Sequence, residues 1–216
     1  MKIQYLSDVH LEFRFNLPKI KKLADILVLA GDIGYPKSKI YLWFIKEMSK
    51  KFEKVFIICG NHEYYENSIV DIDSFIEKNI IQMFHNVTFL NNSFEDYKGI
   101  RYIGTTLWTD KENTNCSDFL CIDELKKQQQ YKTTLYNNSK TFIEKIVSTS
   151  HDKKNVLITH HQPPEDFLNN NIVAWIYGHT HTPCSKSLNG ILYVCNPIGY
   201  PEEYHINHRY NKIFEI

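Results

Sequence analysis

Five short stretches carry the side chains that could do chemistry in this chain. They are Ser7-Asp8-Val9-His10, Gly31-Asp32-Ile33, Gly60-Asn61-His62-Glu63, Thr159-His160-His161 and Gly178-His179-Thr180-His181. Of the 10 histidines, six (His10, His62, His160, His161, His179 and His181) fall in these stretches. The set offers imidazole nitrogen and carboxylate or amide oxygen, and no thiolate. That donor chemistry suits Mn, Fe, Zn, Ni or Co rather than Ca, with manganese taken first. There are too many ligands for one tetrahedral ion. Two divalent ions about 3.5–4 Å apart, sharing one carboxylate, would use them all. Two dications against two aspartates leave a positive cluster, which attracts phosphate and can deprotonate a bound water near neutral pH. Each stretch alone has a plainer explanation. Asp8 could cap a helix, Gly31-Asp32 and Gly60-Asn61 could be turns, and a single buried His160 could simply be hydrogen-bonded. The recurrence of one context argues for the metal site.

That context is the end of an apolar run. Ile3–Leu6, 26–30, 55–59, 156–159 and 173–177 are short and apolar on both faces, as buried strands are. Asp8, Asp32, Asn61, His160 and His179 lie just beyond them. In layered α/β folds, ligands bind outside the carboxyl ends of the strands, so the five residues would converge on one crevice. Asp8 and His10 share an i, i+2 spacing, as do His179 and His181.

The elements around these runs follow from periodicity. Helical spacing of apolar residues predicts helices over 41–48, 69–83 and 134–147, and Pro18 opens a short helix over 17–23. Strand-helix-strand-helix at the start argues for a layered α/β architecture. In the middle, 87–90, 93–97 and 100–104 read as short strands added antiparallel to a sheet. Residues 109–132 are polar, aperiodic and hold two cysteines, and read as an inserted cap. Pro163-Pro164 starts a loop to about 171. Residues 191–195 form a further strand, and 212–216 close a final hairpin. One domain spanning 1–216, with the cap at about 109–132, accounts for the pattern.

Bulk properties bound the function. A chain of 216 residues buries a sizeable core without disulfides. With 43% hydrophobic and 23% charged residues the composition is that of a soluble globular protein. The formal net charge of +0 gives no electrostatic case for a nucleic-acid or membrane-surface protein. The 5 cysteines are odd in number and include no Cys-x-x-Cys pair. A reducing, cytoplasmic location is the expectation. No signal peptide is read at Met1-Lys2-Ile3, and no apolar run approaches the roughly 18 residues of a membrane helix.

Taken in order, Asp8-Val9-His10, Gly31-Asp32, Gly60-Asn61-His62-Glu63, His160 and Gly178-His179-Thr180-His181 resemble the calcineurin-like metallophosphoesterases. The resemblance implies a four-layer α-β-β-α sandwich of two mixed sheets flanked by helices. It implies that Asp8, His10 and His181 hold a first metal, Asn61, His160 and His179 a second, and Asp32 bridges them. A bridging hydroxide would attack phosphorus in line. His62 would protonate the leaving oxygen, with Asn61 and Asp32 completing the catalytic set. Glu63 would orient a histidine or the backbone. His161 and Arg14 are candidate substrate contacts.

Departures from the family pattern narrow the class. Cys59 precedes Gly60 and Ile33-Gly34-Tyr35-Pro36 follows Asp32, which disfavours a protein phosphatase. The chain has no room for the DNA-capping domain of the larger nucleases. A small phosphodiesterase, or a phosphomonoesterase, of low-molecular-weight substrates remains. The competing expectations are a nuclease on short single strands, with Tyr97, Tyr102, Trp108, Phe119 and Tyr131 stacking bases, and a non-catalytic scaffold of the same fold. Substrate identity and oligomeric state have no sequence signal.

Overall fold

The structure is a computed structural model that describes residues 1–109, 116–128, 130–150, 152–164, 167, 171–203 and 212–216. The apolar runs become parallel strands. β1 (Lys2–Leu6), β2 (Ile26–Ala30) and β3 (Lys54–Ile58) lie side by side, with Leu6 opposite Leu29 and Ala30 opposite Ile58. β4 (Val87–Phe89) adds parallel to β3, and the late strand β11 (Ile213–Glu215) adds antiparallel to β1. The order is β11-β1-β2-β3-β4.

A second sheet holds β5 (Ser93–Tyr97), β6 (Ile100–Thr105), β7 (Lys154–Thr159), β8 (Ile172–Tyr177), β9 (Cys184–Leu188) and β10 (Ile191–Cys195). Its order is β5-β6-β7-β8-β10-β9, with a parallel centre and antiparallel edges.

Strand alternation decides which residues go where. Ile3, Tyr5, Ile26, Val28, Phe56 and Ile58 of the first sheet share one buried cluster with Tyr102, Val156, Ile158, Ala174 and Ile176 of the second. That cluster is the core between the sheets. The intervening residues, such as Leu27, Leu29, Val55 and Ile57, cluster with the apolar stripes of α1 (Lys39–Lys51) and α2 (Ile69–Asn79). Ile103, Leu157 and Trp175 of the second sheet cluster with Ile143 and Val147 of α5 (Tyr131–Ser148). Helix, sheet, sheet and helix make the four layers expected. Among the described residues, no helix is long and apolar enough to cross a membrane.

The structure corrects several local expectations. Residues 17–23 form no helix. The buried Gln4 side chain takes over their backbone groups instead, donating to the Lys21 carbonyl at 3.0 Å and accepting from Leu23 N–H at 2.9 Å. α5 begins at Tyr131, three residues before the period announces it. The short strands of the middle are not all antiparallel, because β4 joins the first sheet in parallel and the chain changes sheets before β5. The last strand closes no hairpin with its predecessor and pairs with β1 at the other end of the chain. β9 carried no apolar signal, since four of its five residues are exposed. Of the polar segment, the described part folds as two short helices, α3 (Asp118–Cys121) and α4 (Asp123–Lys127). Residues 110–115 and 129 of that expected cap, and most of the loop from 163 to 171, lie outside the described residues.

Candidate metal centre

The five chemistry-bearing stretches leave β1, β2, β3, β7 and β8 at their carboxyl ends and are stitched to one another. Asp8 N–H donates to the Gly31 carbonyl at 3.0 Å, His10 N–H to Asp32 at 2.9 Å, and Gly178 N–H to His160 at 3.0 Å. Such crossing of chains leaves no room for side chains at two glycines. A Cβ on Gly60 would overlap the Asp32 carboxylate and lie 2.8 Å from His160 Cδ2. One on Gly178 would lie 2.7 Å from Ser7 Cβ and 2.8 Å from Asp8 Oδ2. Asp8, His10, Asp32, His179 and His181 all adopt φ between 49° and 69°. Non-glycine residues rarely take this conformation, and strain of this kind gathers at functional sites.

Donor atoms converge. Asp8, His10 and His181 form one group within 4.8 Å, and Asp32, His160 and His179 another. His10, Asp32 and His62 form a third. Asp32 sits between the first two, its Oδ2 3.3 Å from His160 Nε2 and 3.9 Å from His10 Nε2. Its Oδ1 accepts the His62 backbone N–H at 2.9 Å. Asn61 Oδ1 is 3.1 Å from His160 Nε2.

The residues fit a cation. His10 Nε2 and His181 Nε2 face each other at 3.0 Å. Each ring already has a carboxylate at Nδ1, Glu12 at 3.0 Å from His10 and Glu203 at 2.7 Å from His181. With the protons at Nδ1, two lone pairs point at one spot, and a cation there would satisfy both. Asp8 Oδ1 accepts the His179 N–H at 2.9 Å, whereas its buried Oδ2 has no partner among the described residues. His160 follows the same rule, with Nδ1 3.0 Å from the Ala30 carbonyl and Nε2 turned inward. Such outer partners orient ligating imidazoles.

Burial and close neighbours shift the ionisable groups of the site. Burial disfavours charge on both Asp32 and His160, yet each supports the other. Asp32 is held well below the usual carboxylate range, and His160 is raised to about 10. Burial and the neighbouring His160 push His179 down to about 4. Burial opposes charge on His62, but Glu12 and Asp32 raise it on balance. Glu63 is fully buried and accepts N–H bonds from Gly60 at 2.7 Å, Ile33 at 2.7 Å and Asp32 at 2.9 Å. It therefore fixes the two motif loops through their backbones rather than through a histidine.

The remaining sequence candidates lie close by. His161 is buried, its ring 4.2 Å from that of His179, with Nδ1 3.4 Å from the Thr106 carbonyl and Nε2 without a partner among the described residues. Arg14 donates from Nε to the Val9 carbonyl at 2.6 Å and from Nη2 to that of Gly199, tying two loops together. Of the five aromatics considered for base stacking, Tyr102, Trp108 and Phe119 are buried in the core, and Tyr97 and Tyr131 are half-buried.

Sequence reasoning missed Glu12, Tyr65, Asp118, Tyr200 and Glu203. Glu12 Oε1 accepts from both His10 Nδ1 at 3.0 Å and His62 Nδ1 at 2.9 Å. A carboxylate two residues after His10 was the available signal. Tyr65 stacks on His62 with centroids 4.3 Å apart, and Tyr200 Oη lies 3.3 Å from His62 Nε2. Tyr200, Glu203 and Asp118 come from distant segments and carried no local signal.

Comparison with known proteins identifies the family. The family model of calcineurin-like phosphoesterases matches residues 1–183. The uncharacterized protein L509 of Acanthamoeba polyphaga mimivirus is 30% identical over 258 aligned residues, covering 93% of this chain and 92% of its own. The fold is similar to that of the phosphopantetheinyl hydrolase PptH from Mycobacterium tuberculosis. The TM-score is 0.75 at 16% identity, over 100% of this chain and 95% of that one. At that identity the likeness speaks for the fold alone. Motifs, fold and family model agree that this chain belongs to the calcineurin-like phosphoesterases.

Proposed function

We propose that this protein hydrolyses small phosphodiesters at a centre of two divalent ions, manganese first among them. Asp8, His10 and His181 would hold one ion, Asn61, His160 and His179 the other, and Asp32 both. One observation carries the reading: Asp32 Oδ2 lies within 4 Å of the inward nitrogens of His160 and His10, one from each ligand set, at 3.3 and 3.9 Å. Two such ions would supply a nucleophile from water at neutral pH and neutralise charge on the phosphate oxygens.

The chain's own residues do the rest. His62 keeps a proton because Glu12 and Asp32 favour its charged form, and its Nε2 gives that proton to the leaving oxygen. A proton donor matters most when the leaving alkoxide is poor, which suits esters of alkyl alcohols. His161, beside His179 and with its Nε2 unpartnered among the described residues, is the substrate contact we assign. Arg14 we assign to holding its loops, since its Nε and Nη2 donate to the carbonyls of Val9 and Gly199. Five free thiols suit the reducing cytoplasm.

The test is to strip metal with chelator, restore Mn²⁺, and compare bis-p-nitrophenyl phosphate with p-nitrophenyl phosphate. Expected are Mn²⁺-dependent cleavage, higher kcat/KM on the diester, and a loss of about 100-fold or more in Asp32→Asn. Preference for the monoester would refute the diester assignment. No Mn²⁺-dependent hydrolysis of either would refute the whole reading.

A further inference from the structure

The segment expected to cap the site does something closer to the ions. Asp118, at the start of α3, is fully buried, as is Asn61 but for 4% of its surface. Asn61 Nδ2 donates to Asp118 Oδ1 at 3.0 Å and to Tyr65 Oη at 3.0 Å. Tyr65 Oη donates its own hydrogen to the same Asp118 oxygen at 3.0 Å. Lys132 Nζ, from α5, pairs with Asp118 Oδ2 at 2.9 Å, with 7% of its side chain exposed.

An asparagine amide has two nearly isosteric ends, and only the oxygen can ligate a cation. A hydroxyl such as Tyr65 can donate or accept, so it cannot choose between them. An ionised carboxylate can only accept. Asp118 therefore forces the NH₂ end of Asn61 toward itself and the oxygen toward His160 Nε2, 3.1 Å away. Turning the amide over would set oxygen against carboxylate and NH₂ against the ion.

We infer that Asp118, held in place by its ion pair with Lys132, is a positioning residue that orients Asn61 as an oxygen ligand of the second ion. The inserted segment is thereby part of the metal site. This rests on the two-ion reading above.

The experiment is a calorimetric titration of chelator-stripped protein with Mn²⁺, without substrate. Wild type must first take up two ions; if it does not, the two-ion reading fails and this inference with it. Given two ions, Asp118→Leu/Lys132→Met removes the acceptor without leaving a buried unpaired charge. Its second ion is expected to bind at least tenfold more weakly, with the first unchanged. Asp118→Asn/Lys132→Met, which keeps an oxygen but no obligate acceptor, should lose less. In an Asn61→Ala background the Asp118 substitution should have no further effect, the signature of action through Asn61. A leucine variant binding both ions within twofold of wild type overturns the inference. So does an equal loss in the Asn61→Ala background. Should the leucine variant not fold, Asp118→Asn alone decides: a second ion at least threefold weaker is expected, and unchanged affinities overturn it.

Discussion

At the scale of the residue, the site is held by groups that do not themselves face the substrate. Glu12 is the clearest case, one carboxylate oxygen serving both His10 and His62. Glu12→Ala should slow a diester with a poor alkoxide leaving group by about 100-fold, the usual worth of a positioned proton donor. It should slow a p-nitrophenyl ester far less, because that anion leaves unaided. A leaving-group series in the two proteins checks this, and equal losses across it would contradict the role given to His62. Gly178 makes a steric point. Adding one methyl there sets a carbon 2.7 Å from Ser7 Cβ and 2.8 Å from Asp8 Oδ2. Gly178→Ala should cost about 1–3 kcal/mol in denaturant unfolding, the cost of overpacking. The candidate ligands among the histidines, aspartates and Asn61 were legible because each follows an apolar strand. Glu203 and Tyr200 were not, because their place beside His181 and His62 depends on a loop tied to Val9 and Gly199 through Arg14, which no local pattern records.

At the scale of the element, α2 depends on α4 for its start. Ser68 caps its first turn, and Glu124 of α4 accepts from Ser68 Oγ at 2.7 Å and from Ile69 N–H at 3.0 Å. Glu124→Ala should cost about 1 kcal/mol, the worth of a cap, in the same unfolding measurement. The Asp73 carboxyl of α2 is raised to about 6 by burial, against the pull of hydrogen bonds from Tyr64 and Asn91. Its value in an unfolded chain is 3.8. A raised carboxyl binds its proton more tightly when folded, so stability from this group is greatest below about 4 and is lost as pH rises to about 6. Wild type should therefore lose stability relative to Asp73→Asn across that window and track it above; parallel melting temperatures throughout would contradict this. The buried strands and the helices α1 and α2 were readable from period and hydropathy. The helix expected over 17–23 failed because Gln4 satisfies that backbone from another strand, a contact that spacing along the chain does not encode. The insert lacked a period because α3 and α4, of four and five residues, are too short to show one.

At the scale of the molecule, two sheets bring the carboxyl ends of β1, β2 and β3 from one side and of β7 and β8 from the other to a single crevice. The convergence inferred from strand ends thus follows from the architecture. What was not legible is how the C-terminal part of the chain joins the strands that lead to it. β11 pairs with β1, and the stretch after β10 bonds to Ser7 and Asp8, with Ile198 N–H to Ser7 at 3.0 Å and Gly199 N–H to Asp8 at 2.9 Å. The crevice draws on strands from both sheets, and its central feature is the Asp32 carboxylate lying between two groups of candidate ligands. The most direct test is electron paramagnetic resonance of chelator-stripped protein titrated with Mn²⁺. Two ions per chain with the spectrum of an exchange-coupled pair are expected, and in Asp32→Asn the coupling should weaken or vanish. A single uncoupled ion at saturation, or none, would contradict the two-ion centre.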